Sequence, residues 1–402
     1  MNKNIKLAVA GAVLALSASA NAGIVIPAGD WTLDVNGNVN AFANWTKFKG
    51  DSTQVTGGIN GVRQTHDDAT QGINTGLLPA WLGFTGKTRQ NDTDVEFTIS
   101  FQPNVSDQGG AVHGDSSTPL NRQAYVSFGD KSWGSVKLGK DLGIFAGDAI
   151  LNDMTLLGVG AGAANSGGAT TLGGIGTGYI YAAWKGQIAY TTPNLGGFSA
   201  TVGIVNPNQI AGGDTLQSTA RSLYQDRFGL EGKASYSFAA DNFSGKVWVG
   251  GATYDVTHTQ SSGAAYTITA ADLGANINAG NLGLTAYYYT GEGLGTTLFG
   301  AQGTTSAGAK RDSDGGYVQA TYILPTKTKL GVAYGISKLD LASGETSAQN
   351  LVKENDRITV GLYHPLTKHL NLVAEYNDVE AQGHNGLKNE ARTGSLGAIL
   401  FF

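Results

Sequence analysis

Between Trp31 and Trp45, apolar and polar side chains alternate. Trp31, Leu33, Val35, Val39, Ala41, Ala43 and Trp45 fall on one side of an extended chain, and Thr32, Asp34, Asn36, Asn38, Asn40 and Asn44 on the other. A period of two sustained over this stretch predicts a strand over 31–47 rather than a helix. Strands of soluble domains usually run about 5–6 residues, so its length argues for a different setting. The two tryptophans share the apolar face near its ends, where a membrane-crossing strand carries its aromatic girdles.

The same alternation recurs over 76–88, 94–103, 121–129, 134–140, 184–192, 197–205, 225–238, 243–256, 268–279, 281–290, 315–323, 328–338, 356–363, 369–380 and 392–402, sixteen segments with the first. Val95, Phe97, Ile99 and Phe101 against Glu96, Thr98, Ser100 and Gln102 show it cleanly. In 243–256, Val247 and Val249 compete with Trp248 and Ala252 for the apolar face. The last segment, R-T-G-S-L-G-A-I-L-F-F, aligns Leu396, Leu400 and Phe402 on one face and ends on an aromatic.

Connections alternate short and long. Arg89–Thr93, Gly129–Trp133, Pro193–Gly196, Ala239–Asn242, Leu324–Lys327 and His364–Lys368 are short and mostly rich in turn-forming Gly, Pro, Asn and Asp. Phe48–Thr75, Asn104–Leu120, Asp141–Ala183, Asn206–Tyr224, Gly291–Asp314, Leu339–Asn355 and Ala381–Ala391 are long. That rhythm predicts an all-β, antiparallel up-and-down transmembrane barrel of sixteen strands, with both ends of the chain on the short-turn side.

Composition fits. Hydrophobic residues make up 41 % and charged residues 14 %, as expected when only one face of each strand meets lipid. Lys3 and Lys6, the apolar Leu7–Ala18 and the small-residue site Ala20-Asn21-Ala22 predict a signal peptide over 1–22, followed by one barrel domain over 23–402. Beyond that segment there is no apolar run of about eighteen residues, which excludes membrane-spanning helices. The absence of cysteine excludes a disulfide framework. A net charge of −5 argues against a nucleic-acid partner.

Three stretches carry a family resemblance. Asn121–Lys140 (N-R-Q-A-Y-V-S-F-G-D-K-S-W-G-S-V-K-L-G-K) resembles the strand–turn–strand that precedes the inward-folded third loop of Gram-negative general porins. Tyr190–Phe198 (Y-T-T-P-N-L-G-G-F) is similar to a turn of that family, and Tyr363–Asn377 (Y-H-P-L-T-K-H-L-N-L-V-A-E-Y-N) to its last periplasmic turn and penultimate strand. The terminal Phe402 resembles the aromatic read by the barrel-assembly machinery. The resemblance implies a homotrimer in the Gram-negative outer membrane, surrounded by lipid, through which ions and small hydrophilic solutes diffuse passively. It implies neither cofactor nor catalysis.

Asp141–Ala183 occupies the third-loop position, carries Asp141, Asp148 and Asp153, and holds one lysine-free, arginine-free tract rich in Gly, Ala, Ser and Thr. By resemblance this loop sets the constriction, its acids facing basic groups on the wall, because charges act strongly in a narrow pore. Parity points Lys87 and Lys137 inward. Arg122 matches an arginine of the family motif, but its parity aligns it with Ala124, Val126 and Phe128, so a local irregularity has to turn it inward. The competing readings are solvated rim charges for the basic residues and loop or helix capping for the acids.

Other chemistry fails on spacing. Gly86-Lys87-Thr88 lacks the leading glycine of a phosphate loop, because Trp81 stands there. No serine has the G-x-S-x-G setting of a nucleophile elbow, and no histidine begins H-E-x-x-H. The alternatives to a diffusion channel are a substrate-specific channel on the same fold, a barrel enzyme and a blocked adhesive barrel.

Overall fold

At lipid depth every backbone N–H and C=O has to find a protein partner. This chain meets the requirement by pairing successive strands antiparallel and closing its last strand, Lys388–Phe401, against the long strand Trp31–Gly50. The computed structural model describes residues 23–402 except 63–67, 104–119, 163–169, 207–222, 225–226, 259–264, 306–307 and 347–349. The expected signal segment 1–22 lies outside the described residues.

The strand segments are β1 (Ile24–Ala28), β2 (Trp31–Gly50), β3 (Ala69–Asn74), β4 (Trp81–Gln90), β5 (Thr93–Gln102), β6 (Leu120–Asp130), β7 (Gly134–Leu142), β8 (Trp184–Thr191), β9 (Phe198–Val205) and β10 (Leu223–Tyr224). They continue with β11 (Gly229–Ala240), β12 (Phe243–His258), β13 (Tyr266–Ala279), β14 (Leu282–Glu292), β15 (Asp312–Ile323), β16 (Lys329–Leu339), β17 (Val352–Pro365), β18 (Leu370–Gly383) and β19 (Lys388–Phe401).

These segments fill sixteen barrel positions. The two halves β3 and β4 share one position beside β2, pairing with its upper and lower parts. The short β10 extends β11 along β12. The N-terminal β1 lies in line with β19: Phe401 pairs opposite Asn38, and Ile24 opposite Val35. Between them the Phe402 carbonyl accepts from Gly37 N–H at 2.8 Å.

Two features depart from the sequence reading. The segment expected at 76–88 is not one strand: 75–80 leaves the ladder, and the strand resumes above it over Ala69–Asn74, inside the expected first long loop. Pro79 has no N–H to give a ladder, and Leu77 is buried inside the molecule. The strand β1 was not anticipated, because its five residues have no alternation of their own.

The expected faces otherwise hold. Leu273 is 59 % exposed and Leu396 57 %, on an outward face that also carries Val39, Val318 and Val360. In β12 the contest resolves: Val247 and Val249 face out, and Trp248 is buried inside. The core therefore lies within the cylinder. Trp248, Tyr254, Tyr287, Tyr289 and Tyr317 of the wall pack against Phe145, Ile150, Tyr179 and Ile180 of the loop after β7.

Candidate functional site

The loop from 143 to 183 folds into the lumen, and its polar backbone decides how it is held. Buried amides without partners cost about 1–3 kcal/mol each, and inward-facing wall side chains satisfy those of the loop. Glu231 on β11 accepts from the N–H groups of Ile144 (2.7 Å) and Phe145 (3.0 Å). Asp272 on β13 accepts from Ala146 N–H at 3.2 Å. Gln319 on β15 accepts from Met154 N–H at 2.7 Å, and the Tyr317 hydroxyl donates to Ala149 C=O at 2.8 Å. Glu375 on β18 accepts from Val159 N–H at 2.9 Å, Gly160 N–H at 2.8 Å and the Tyr363 hydroxyl at 2.7 Å. Among its described residues the loop carries a short helix, α1 (Gly147–Asn152), and a 3-10 turn at Met154–Leu157.

The tip of the loop fastens to the break in the wall. Leu77 N–H donates to Gly158 C=O at 2.9 Å, and Thr171 N–H to Gly76 C=O at 3.2 Å. The asparagine face of β2 replaces the missing ladder: Asn38 donates to Pro79 C=O (3.0 Å), Asn40 donates to Leu78 C=O (2.9 Å), and Asn40 Oδ1 accepts from Gly76 N–H (2.9 Å). Two glycines permit this close approach, one to backbone and one to a side chain. A Cβ at Gly76 would lie 2.0 Å from Gly158 C=O, and one at Gly158 would lie 1.9 Å from Glu375 Oε1.

The loop acids do meet basic groups, but mostly not those singled out in the sequence. Asp148, in the first turn of α1, pairs with Lys233 on β11 at 2.8 Å and with Lys246 on β12. Asp153 accepts from Thr155 N–H, Gly174 N–H and the Tyr179 hydroxyl, each at 2.9 Å, and lies 3.8 Å from the buried Arg357 on β17. Its bond to Thr155 caps the 3-10 turn, while α1 has Ala146 at its N-cap and no side-chain cap. Asp141 belongs to the end of β7 rather than to the loop; it pairs with Lys137 and accepts from Gln123 Nε2 at 2.9 Å. Lys137 also lies 4.7 Å from the Tyr125 ring centroid. Lys87 sits apart, toward the short-turn end of β4, 59 % exposed in its side chain and 3.2 Å from Glu96.

Arg122 is turned inward by a bulge. Ser100 pairs with Gln123 and Phe101 with Asn121, so Arg122 is the extra residue between them. It lines a cavity of about 390 Å³ between the loop and the wall, bounded also by Leu77, Leu78, Trp81, Leu156 and Trp184.

Sequence reasoning missed Lys233, Lys246 and Arg357, and the loop anchors Glu231, Asp272 and Glu375. Parity places Lys246 on the Trp248 face and so carried a signal, once Val247 and Val249 are assigned to lipid. For the anchors no signal was present, because their partners are backbone groups of a distant loop.

A family model described as Gram-negative porin matches residues 7–384. No curated protein sequence matches the chain. Solved structures share the fold: the outer membrane channel DcaP of Acinetobacter baumannii aligns at a TM-score of 0.68 and 15 % identity, covering 94 % of this chain and 99 % of that one. An anion-selective porin from Comamonas acidovorans aligns at 0.63 and 16 %, covering 92 % and 100 %. The trimer form of OmpT of Vibrio cholerae aligns at 0.57 and 14 %, covering 92 % and 99 %.

Proposed function

We propose a reading of this channel that proceeds from one premise: the chain belongs to the Gram-negative porin family. It is an outer-membrane β-barrel and a channel for passive solute diffusion. Family and fold are those of non-enzymatic channels. The finer reading is a homotrimer, embedded in outer-membrane lipid and assembled by the barrel machinery through Phe402, in which each monomer passes ions and small hydrophilic solutes. The trimer form of the Vibrio cholerae neighbour supports the assembly.

One observation carries the constriction. Glu231, Asp272, Gln319 and Glu375 fix the 143–183 loop by its backbone, so the opening is narrowed by a held segment rather than a swinging one. We assign two sets of groups to the passage. Asp148 with Lys233 and Lys246 is a transverse charge pair of the kind that orients dipolar solutes. Arg122 is a further cation, lining the cavity between the loop and the wall. Asp153 and Arg357 are buried and act as a clamp within the loop's seat. Asp141 and Lys137 neutralise one another beside Arg122, and Lys87 acts at the periplasmic vestibule.

Purified protein in planar bilayers should open stable ohmic conductances in steps of three. A protein that inserts and never conducts would overturn the channel reading; single rather than triple steps would remove the trimer.

A further inference from the structure

The cavity beside Arg122 is chemically unlike a water-filled passage. Leu77, Leu78 and Leu156 and the faces of Trp81 and Trp184 dominate it, and among the described residues Arg122 is its sole charged lining residue. The guanidinium carbon lies 4.8 Å from the Trp81 ring centroid and 4.4 Å from that of Trp184, a cation held between two indoles. Arg122 is only 9 % exposed. Of its five N–H donors, one reaches Gln123 Oε1 at 3.2 Å, while Nε is buried without a partner. The neighbouring carboxylate, Asp141, is already engaged by Lys137 and Gln123. Gln123 is itself shared with Ser100.

A buried cation without a counter-ion is costly unless something pairs with it. A guanidinium fork presents parallel donors matched to a carboxylate. The rest of the lining is mostly apolar, with Gln102, Thr170, Thr171 and Tyr181 as its uncharged polar members, in a volume within the range of small-molecule sites.

We propose that this cavity is a saturable binding subsite for amphipathic organic monocarboxylates, the carboxylate seated on Arg122 and an aromatic or branched aliphatic body lying against Leu77, Leu78 and Leu156. The inference rests on the channel reading and deepens it: solutes of this class pause at the site, while inorganic ions and small polar solutes pass without saturation. The bulge supplies specificity, since only an out-of-register residue of β6 reaches this space from a position whose neighbours face lipid.

The test uses the full-length protein in planar bilayers under potassium chloride, with sodium benzoate as the probe. Benzyl alcohol has a similar body without the charge, and acetate the charge without the body. Benzoate should produce saturable, concentration-dependent current interruptions and quench tryptophan fluorescence, and neither control should do so at equal concentration. Arg122→Gln should weaken the benzoate block about tenfold or more, the size of a lost hydrogen bond to a charged group. If that variant yields no barrels, Leu78→Asn carries the test: the charge stays, and the preference for benzoate over acetate should collapse. Equal effects of benzoate and acetate on the wild type would overturn the proposal, as would a block untouched by either substitution. A protein that conducts potassium chloride and ignores benzoate leaves the channel reading intact; one that conducts nothing removes both.

Discussion

Replacing Glu375 by alanine isolates what holds the channel narrow. Its carboxylate receives Val159 N–H, Gly160 N–H and the Tyr363 hydroxyl, and the residue is buried. Alanine leaves two buried backbone donors and one hydroxyl without their acceptor. At about 1–3 kcal/mol for each orphaned donor, the two amides alone cost about 2–6 kcal/mol. Part of that cost is avoided if the loop tip lifts and hydrates its amides. Local opening then becomes more favourable by roughly 30-fold to 10⁴-fold, at 1.4 kcal/mol per decade. Hydrogen exchange on a peptide spanning Val159 and Gly160 reads this directly, and single-channel current noise reads it functionally. Glu375→Gln keeps an acceptor oxygen for the amides and should lie much closer to wild type. Unchanged amide protection together with unchanged noise in Glu375→Ala would refute the assignment of Glu375 as the tip's anchor.

Asp148→Asn leaves Lys233 and Lys246 without their carboxylate, so the reversal potential in a salt gradient should move toward anions; a shift toward cations would contradict the arrangement. Deleting Phe402 removes the paired bonds with Gly37 at 2.8 and 3.1 Å; barrel yield in cells should fall far more than refolding in detergent, and equal losses would remove the machinery from the explanation. The Arg311 guanidinium, bonded to Glu345 at 2.6 Å, holds that carboxyl below its usual value of 4.5. A lowered carboxyl contributes stability above its unfolded value that is lost as pH falls through the folded one. Protease resistance of the 293–311 loop should therefore be constant above about pH 4.5 and drop only in stronger acid. Glu345→Gln should flatten that profile.

What was legible in the chain was whatever lipid dictates. Lipid requires an apolar side chain at alternate positions, and the outward faces at Val39, Leu273 and Leu396 show it. Lumen-facing positions obey no such rule. Asn38 and Asn40 read as part of a polar face, but their task of pairing the carbonyls and amide freed at 75–80 depends on a break that only Gly76 and Pro79 hint at. The loop acids were visible as charges in an otherwise neutral tract. Their partners were not, because Lys233, Lys246 and Arg357 become neighbours only once the cylinder is closed and the loop has turned inward. Arg122 shows the limit of parity: one extra residue opposite Ser100 and Phe101 reverses the side it faces.

The break at 75–80 also has a consequence for timing. The loop tip rests on a segment flanked by β2, and β2 reaches its final place only when β19 pairs with it. Glu375, the other support of the tip, lies 216 residues further along the chain than Val159. Contacts this distant in sequence form late. A barrel still open at its seam has no seat for the tip and remains wide, so the narrowing of the channel is a mark of completed closure.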